Sequence, residues 1–324
     1  MESNKSLINM TFGEMLQASY KSEDTEEWLD IYFTRPVGLM FALLWIKLGV
    51  KPNTVTILSI FLGTGAGYMF SFTDLTHNLV GVLLLVLANL CDSTDGQMAR
   101  LTGNKTLTGR ILDGFSGDVW FFSIYFAICM RLMPQHIPGT DMEWGWWIWG
   151  LGAVAGLVCH SPQSSLADYY RQIHLWFLKG KSGSELDSYA AQRKIYESLP
   201  KEQSTFWKRA FHFNYANYCK SQENRTPIFQ QLRNKMSLYL QHHHELPTSL
   251  KERFLMGSRP LMKYTNILTF NVRAICIYIT CLADMPWLYL LFEITVMSVI
   301  YIYMHNKHEK LCKQLLKEEL WQKD

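Results

Sequence analysis

The sequence predicts an all-α, polytopic membrane protein, and three observations lead there. The 324 residues are 48% hydrophobic and 14% aromatic but only 18% charged, a balance that suits apolar spans joined to a polar part. Six segments, about 54–72, 78–99, 109–132, 145–165, 265–283 and 285–305, each approach the ~20 apolar residues that cross a hydrocarbon core. Lys and Arg are divided unevenly between the connections. The loops 73–77, 133–144 and 284–286 contain none, while the opposite segments hold nearly all of them, so those loops are expected outside and the N-terminus in the cytoplasm.

Taken in order, residues 1–30 are polar and lack the basic-then-apolar pattern of a leader, having Glu2, Glu14, Glu23, Asp24, Glu26 and Glu27 instead. The run from Ile31 to Val50 is apolar but carries Arg35, Pro36 and Lys47 and stops at Gly49 and Pro52, which predicts an interfacial helix rather than a span. Pro52 then opens the first span, where its missing N–H costs little. The second span is apolar only from Leu79 to Cys91 before Asp92 interrupts it, so an acidic group is expected at one membrane face. Between the fourth and fifth spans lies a polar insertion, 172–255, with 14 Lys and Arg from Arg171 to Arg253 against seven acids. Its stretches AFHFNYANYCK and IFQQLRNKMSLYL read as amphipathic helices, and its charge favours an anionic leaflet. No RNP, KH or zinc-finger signature accompanies that charge, which argues against nucleic acid as a partner. The run His242 to His244, placed before Pro247, reads as a solvated turn rather than a metal site. The tail 306–324 puts Leu311, Leu315 and Leu320 on one helix face. The expected organisation is therefore 1–50, 51–171, 172–255, 256–305 and 306–324. The seven cysteines have no CxxC spacing and fall mostly in apolar runs, so neither a disulfide framework nor a zinc site is expected.

The chemistry concentrates between Asp92 and Asp118, CDSTDGQMARLTGNKTLTGRILDGFSGD counted from Cys91. Four carboxylates, Asp92, Asp95, Asp113 and Asp118, adjoin apolar segments, where a bare charge is costly unless it finds a partner. Asp92 and Asp95 are three apart and share a helix face. Gly96 and Ala99 remove side-chain bulk beside them, and Gly109 and Asp113 repeat the arrangement on a second helix. Two antiparallel helices of this kind point three or four carboxylates at one spot, a hard-cation site for Mg²⁺ or Mn²⁺ suited to phosphate chemistry.

The pattern Asp92-x2-Asp95-Gly96-x2-Ala99-Arg100-x8-Gly109-x3-Asp113 resembles the signature of the CDP-alcohol phosphotransferases, integral membrane enzymes that make phospholipids from a CDP-linked donor. It matches seven fixed positions. The pattern departs at one place: the family's fourth Asp falls four residues after the third, where this chain has Gly117, and Asp118 follows. On a regular helix Asp118 lies about 100° around from that position, so a widened turn at Gly114–Gly117 is expected to re-aim it. The resemblance implies two divalent ions on Asp92, Asp95, Asp113 and Asp118, with Asp118 as the general base. It also implies a donor site at Gly96, Ala99 and Arg100. The stretch Pro52, Asn53 and Thr56 resembles the start of the family's first span and would add Thr56 to that donor site, although helix initiation alone accounts for it.

Asp168-Tyr169-Tyr170-Arg171 ends the fourth span, and Arg259-Pro260 with Lys263 begins the fifth. This cluster is similar to the RPxR-type segment of family members that use inositol phosphate, so Arg171, Arg259 and Lys263 are expected around a phosphate on the acceptor; positive-inside anchoring is the competing reading. The function implied is transfer of a phosphatidyl group from CDP-diacylglycerol to a polar alcohol, inositol phosphate first, with release of CMP on the cytoplasmic side by a homodimer. Two alternatives stand beside it. One is transfer from CDP-choline or CDP-ethanolamine to diacylglycerol, and the other is an inactive membrane scaffold.

Overall fold

The computed structural model describes residues 10–19, 22, 24–103 and 106–317. Residues 1–9 of the polar start, the pair 104–105 in the loop before Gly109, and the tail beyond Lys317 with Leu320 lie outside the described residues. Among the described residues every regular element is a helix. The elements are α1 (Phe12–Ser19), α2 (Arg35–Lys47), α3 (Pro52–Phe70), α4 (Leu75–Leu101), α5 (Leu107–Leu132), α6 (Trp147–Ala153), α7 (Ser161–Lys179), α8 (Tyr189–Ser198), α9 (Phe206–Arg225), α10 (Pro227–His242), α11 (Thr248–Ser258), α12 (Met262–Ile267), α13 (Phe270–Leu282), α14 (Trp287–Phe292) and α15 (Ser298–Lys317). Wide π turns run over Asp30–Thr34, Val154–His160 and Glu293–Met297.

Four helical stretches are long and apolar enough to cross a membrane: Leu75–Leu101, Thr108–Leu132, Thr248–Leu282 and Trp287–Lys317. The protein is thus an integral membrane protein. The two other expected spans are helical but fall short in composition. α3 carries Thr54, Thr56, Ser59, Gly63, Thr64 and Gly65, and the 145–165 segment passes from α6 through a π turn into the polar sequence SPQSS.

The chain groups into two compact units, Met1–Ser161 with Phe270–Ser298, and Pro162–Thr269 with Val299–Asp324. In the first, α3 lies against both α4 and α5. Small residues permit this. A Cβ on Gly63 would come 2.1 Å from the Trp120 ring, and one on Gly67 would come 2.3 Å from Ser123 Oγ. Between apolar helices in lipid there is little hydrophobic drive, so close approach through such residues supplies the packing. The resulting core includes Phe70, Leu85, Trp120, Ile124, Ile128 and Tyr289. Faces turned away from it are apolar as well, with Phe61 72% and Phe122 71% exposed, as lipid-facing surfaces require.

Helix ends in this unit are capped by residues that the sequence supplies locally. Asp74 accepts from His77 N at 3.1 Å to start α4, and Thr106 accepts from Gly109 N at 3.0 Å to start α5. Pro52 takes the first turn of α3, as expected. At the far end of α5 the buried Arg131 donates to Phe70 O (3.1 Å), Asn78 Oδ1 (2.8 Å), Cys281 O (3.3 Å) and Asp284 Oδ1 (2.7 Å), joining the ends of α3, α4 and α13. A second buried cation, Arg273, pairs with Glu293 at 2.9 Å.

The second unit contains the basic insertion, with α8 through α11. Its core forms from Phe229, Leu232, Leu250, Phe254, Cys312 and Leu315. Glu309 accepts from Ile228 N (2.8 Å) and Phe229 N (3.3 Å), the open first turn of α10. The His run closes α10 as a polar turn, with His243 Nδ1 3.1 Å from Tyr239 O. All seven cysteines are free thiols.

Candidate metal and phosphate site

Asp92 and Asp95 sit in the last turns of α4, and Asp113 in the second turn of α5. One oxygen from each of the three carboxylates lies within 4.8 Å of the others. Two like unit charges at that spacing repel by roughly 3 kcal/mol at an effective dielectric of about 20. A hard divalent cation converts that repulsion into attraction, and the all-oxygen donor set is the kind that selects Mg²⁺ or Mn²⁺. The residues fit such an ion.

The group is held from outside by hydroxyls. Thr56, 2% exposed on α3, donates its hydroxyl to the Asp95 carboxylate, itself 4% exposed. Ser116 Oγ lies 2.7 Å from Asp113 O and 3.2 Å from Asp92 Oδ1. Arrangements in which a ligand carboxylate is fixed by a neighbouring donor are what give metal sites their geometry. The Thr56 hydroxyl is thus turned to the Asp95 carboxylate.

Arg100 is the cation of the site. Its Nε and Nη2 are buried with no hydrogen-bond partner among the described residues. The charges of Asp95 and Asp113 reach it. Gly96 makes room for this side chain, since a Cβ there would stand 3.3 Å from both terminal guanidinium nitrogens. Buried, unpaired guanidinium donors beside a carboxylate group make a place for phosphate oxygens. Ala99 is half-buried on the same turn. Gly109 serves packing: a Cβ there would be 3.0 Å from Asn53 Oδ1.

Asp118 requires a correction. α5 is regular α-helix through 114–118, without the widened turn expected at Gly114–Gly117, and Asp118 is not in the carboxylate group that Asp92, Asp95 and Asp113 form. A Cβ on Gly114 or Gly117 would meet nothing within 4 Å, so no packing contact forces a wider turn there and the regular helical ladder is kept.

The expected acceptor residues lie in the second unit. Arg171 Nη2 donates to Asn266 Oδ1 at 3.0 Å, which ties it to α12, the helix that carries Lys263. Arg259 and Lys263 are exposed, one helical turn apart, and Lys263 Nζ lies 4.9 Å from the Tyr264 ring centre.

Sequence reasoning missed Ser116 and the N-terminal pair Glu26 and Arg35. Ser116 was within reach, because it stands three residues after Asp113 on the same helix face. The pair left no local signal.

Comparison with protein families matches residues 50–171 to the family described as CDP-alcohol phosphatidyltransferase. The matched stretch holds all seven motif positions and Thr56. No curated protein matches the chain.

Proposed function

Since residues 50–171 are a CDP-alcohol phosphatidyltransferase domain, which makes the chain a phosphotransferase of phospholipid biosynthesis, we propose that it transfers a phosphatidyl group from CDP-diacylglycerol to a polar alcohol, inositol phosphate in the first instance. The observation that carries this reading is the three-carboxylate group with Arg100 beside it at the ends of two apolar helices. The family generally uses divalent ions. When bound, two such ions held by Asp92, Asp95 and Asp113 would supply charge for the donor's pyrophosphate.

In this reaction the acceptor hydroxyl oxygen attacks the lipid-bearing phosphorus. The bond from that phosphorus to the bridging oxygen of the pyrophosphate breaks, and CMP leaves with the electron pair. Arg100 pairs with the pyrophosphate oxygens, and Gly96 and Ala99 leave space for them. With Asp118 outside the group, the hydroxyl proton goes to Asp113, the exposed member of the three, directly or through one water. Arg171, Arg259 and Lys263 bind the acceptor's phosphate. Around this site the reading sets six spans, a cytoplasmic orientation given by the Lys and Arg asymmetry, and a homodimer.

The test is to supply the purified protein with labelled CDP-diacylglycerol, Mg²⁺ and a panel of alcohols. CMP release that requires both the metal and one alcohol supports the reading. Release only from CDP-choline or CDP-ethanolamine with diacylglycerol would reverse the lipid's role, and no release from any donor would leave a scaffold.

A further inference from the structure

The segment before the family domain reaches the motif helix. Arg35 Nε lies 3.1 Å from Glu26 Oε2 and Arg35 Nη2 lies 3.3 Å from Glu26 Oε1, a two-pronged pair whose side chains are 13% and 4% exposed. The backbone around it is fastened to α4 at residues 93–97. Gln97 Nε2 donates to Arg35 O at 3.0 Å, and Thr94 Oγ1 donates to Gly38 O at 3.3 Å. Gly38 permits the contact, because a Cβ there would stand 3.0 Å from Gln97 Nε2 and 3.1 Å from Ser93 Oγ. The backbone at Arg35 therefore lies against α4 at Gln97, one turn before Arg100.

The charges acting on Arg100 come from Arg35 and Glu26 as well as from Asp113 and Asp95. Arg35, Glu26 and Arg100 thus lie near enough to act on one another. Arg100 also has buried donors without a partner among the described residues. Two guanidinium groups, one of them with unpartnered donors, are suited to a phosphate, whose oxygens take guanidinium donors in pairs.

We propose that Arg35 is a further binding residue for the pyrophosphate of the CDP-linked donor, standing beside Arg100, and that Glu26 is the counter-ion that the donor's phosphates displace. The inference rests on the CDP-linked donor assigned above. It gives the two halves of one ion pair opposite effects. Arg35 adds attraction for the donor, while Glu26 competes with the donor for the same guanidinium.

The experiment uses the full chain in detergent or nanodiscs, with the dissociation constant of CDP measured in the presence of Mg²⁺ and the KM for CDP-diacylglycerol measured beside it. Arg35→Gln is expected to weaken CDP about tenfold and to raise the donor KM similarly, with Arg35→Lys in between. Glu26→Gln is expected to tighten CDP about threefold. Glu26→Asp, which keeps the charge and shortens its reach, gives a smaller shift of the same sign and serves where Glu26→Gln does not purify. A merely structural clamp predicts that both members of the pair weaken binding in the same direction, and that result overturns the inference. Failure of the unsubstituted protein to bind CDP overturns the donor assignment and the inference with it. Wild-type binding together with variants that shift alike overturns the inference alone.

Discussion

Replacing Thr56 by Val removes one hydroxyl and keeps the side chain's shape, which makes it a direct probe of how the carboxylate group is held. The hydroxyl donates to Asp95, and both side chains are almost fully buried. A hydrogen bond to a charged, buried group is worth about 1.5–3 kcal/mol, and at about 1.4 kcal/mol per factor of ten its loss weakens the ion-binding form of Asp95 by roughly 10- to 150-fold. The carboxylate itself remains, so saturating metal restores the site. In an assay of CMP release against Mg²⁺ concentration, Thr56→Val is expected to raise the half-activating concentration at least tenfold while kcat at saturation stays within a few-fold of wild type. Thr56→Ser keeps a donor and is expected to stay near wild type. A Thr56→Val enzyme with an unchanged Mg²⁺ requirement would show that Thr56 merely starts α3, and the assignment of it as an orienting residue would be refuted.

The remaining expectations concern the same site and its scaffold. Asp92→Asn, Asp95→Asn and Asp113→Asn should each lower turnover below a tenth of wild type while the chain still inserts in the membrane, because removing a charge eases insertion; membrane fractionation beside the CMP assay checks both halves. Asp118→Asn should keep most of the activity, and loss of turnover there would restore Asp118 as the base. Neutralising Arg259 or Lys263 should raise the acceptor KM and leave the donor KM nearly unchanged, since only one substrate loses a contact; an equal rise in both constants would favour membrane anchoring. Arg131→Met removes the donor that joins Phe70, Asn78, Cys281 and Asp284. With orphaned acceptors costing about 1–3 kcal/mol each, the thermal midpoint in detergent should fall by about 5 °C or more, without a change in either KM.

Much of this site was legible because its spacing is local. Asp92 and Asp95 share a face by helix geometry alone, and the glycines at 96 and 109 mark the two places where a Cβ would meet Arg100 or Asn53. Pro52 likewise set the start of α3, whereas the caps Asp74 and Thr106 begin α4 and α5 a few residues before the expected spans. What could not be read are pairings between residues far apart in the chain. Thr56 and Asp95 are 39 residues apart, and Gln97 and Arg35 are 62 apart, so no periodicity announces either contact. Arg131 has the composition of an anchoring cation, yet its four acceptors come from three other segments. Asp118 misled for a different reason: Gly114 and Gly117 signal local freedom, but no neighbour stands within 4 Å of where their Cβ atoms would be, so nothing in the packing forces the wider turn.

These separate contacts share one element, the first helix of the family domain. α3 touches α4 through Thr56 at the carboxylate of Asp95, and deeper in the bundle it touches α5 where Gly63 admits Trp120 and Gly67 admits Ser123. α4 and α5 are the helices that carry the aspartates, and they are joined in sequence by only a short loop. A loop alone leaves two helices free to slide or rotate, and a rotation of one residue, about 100°, would carry Asp113 away from Asp92 and Asp95. By gripping both partners, α3 fixes the setting at which the three carboxylates meet. Its glycines follow from the same duty: without a side chain at 63 and 67, α5 comes close enough to α3 for Asp113 to meet Asp92 and Asp95.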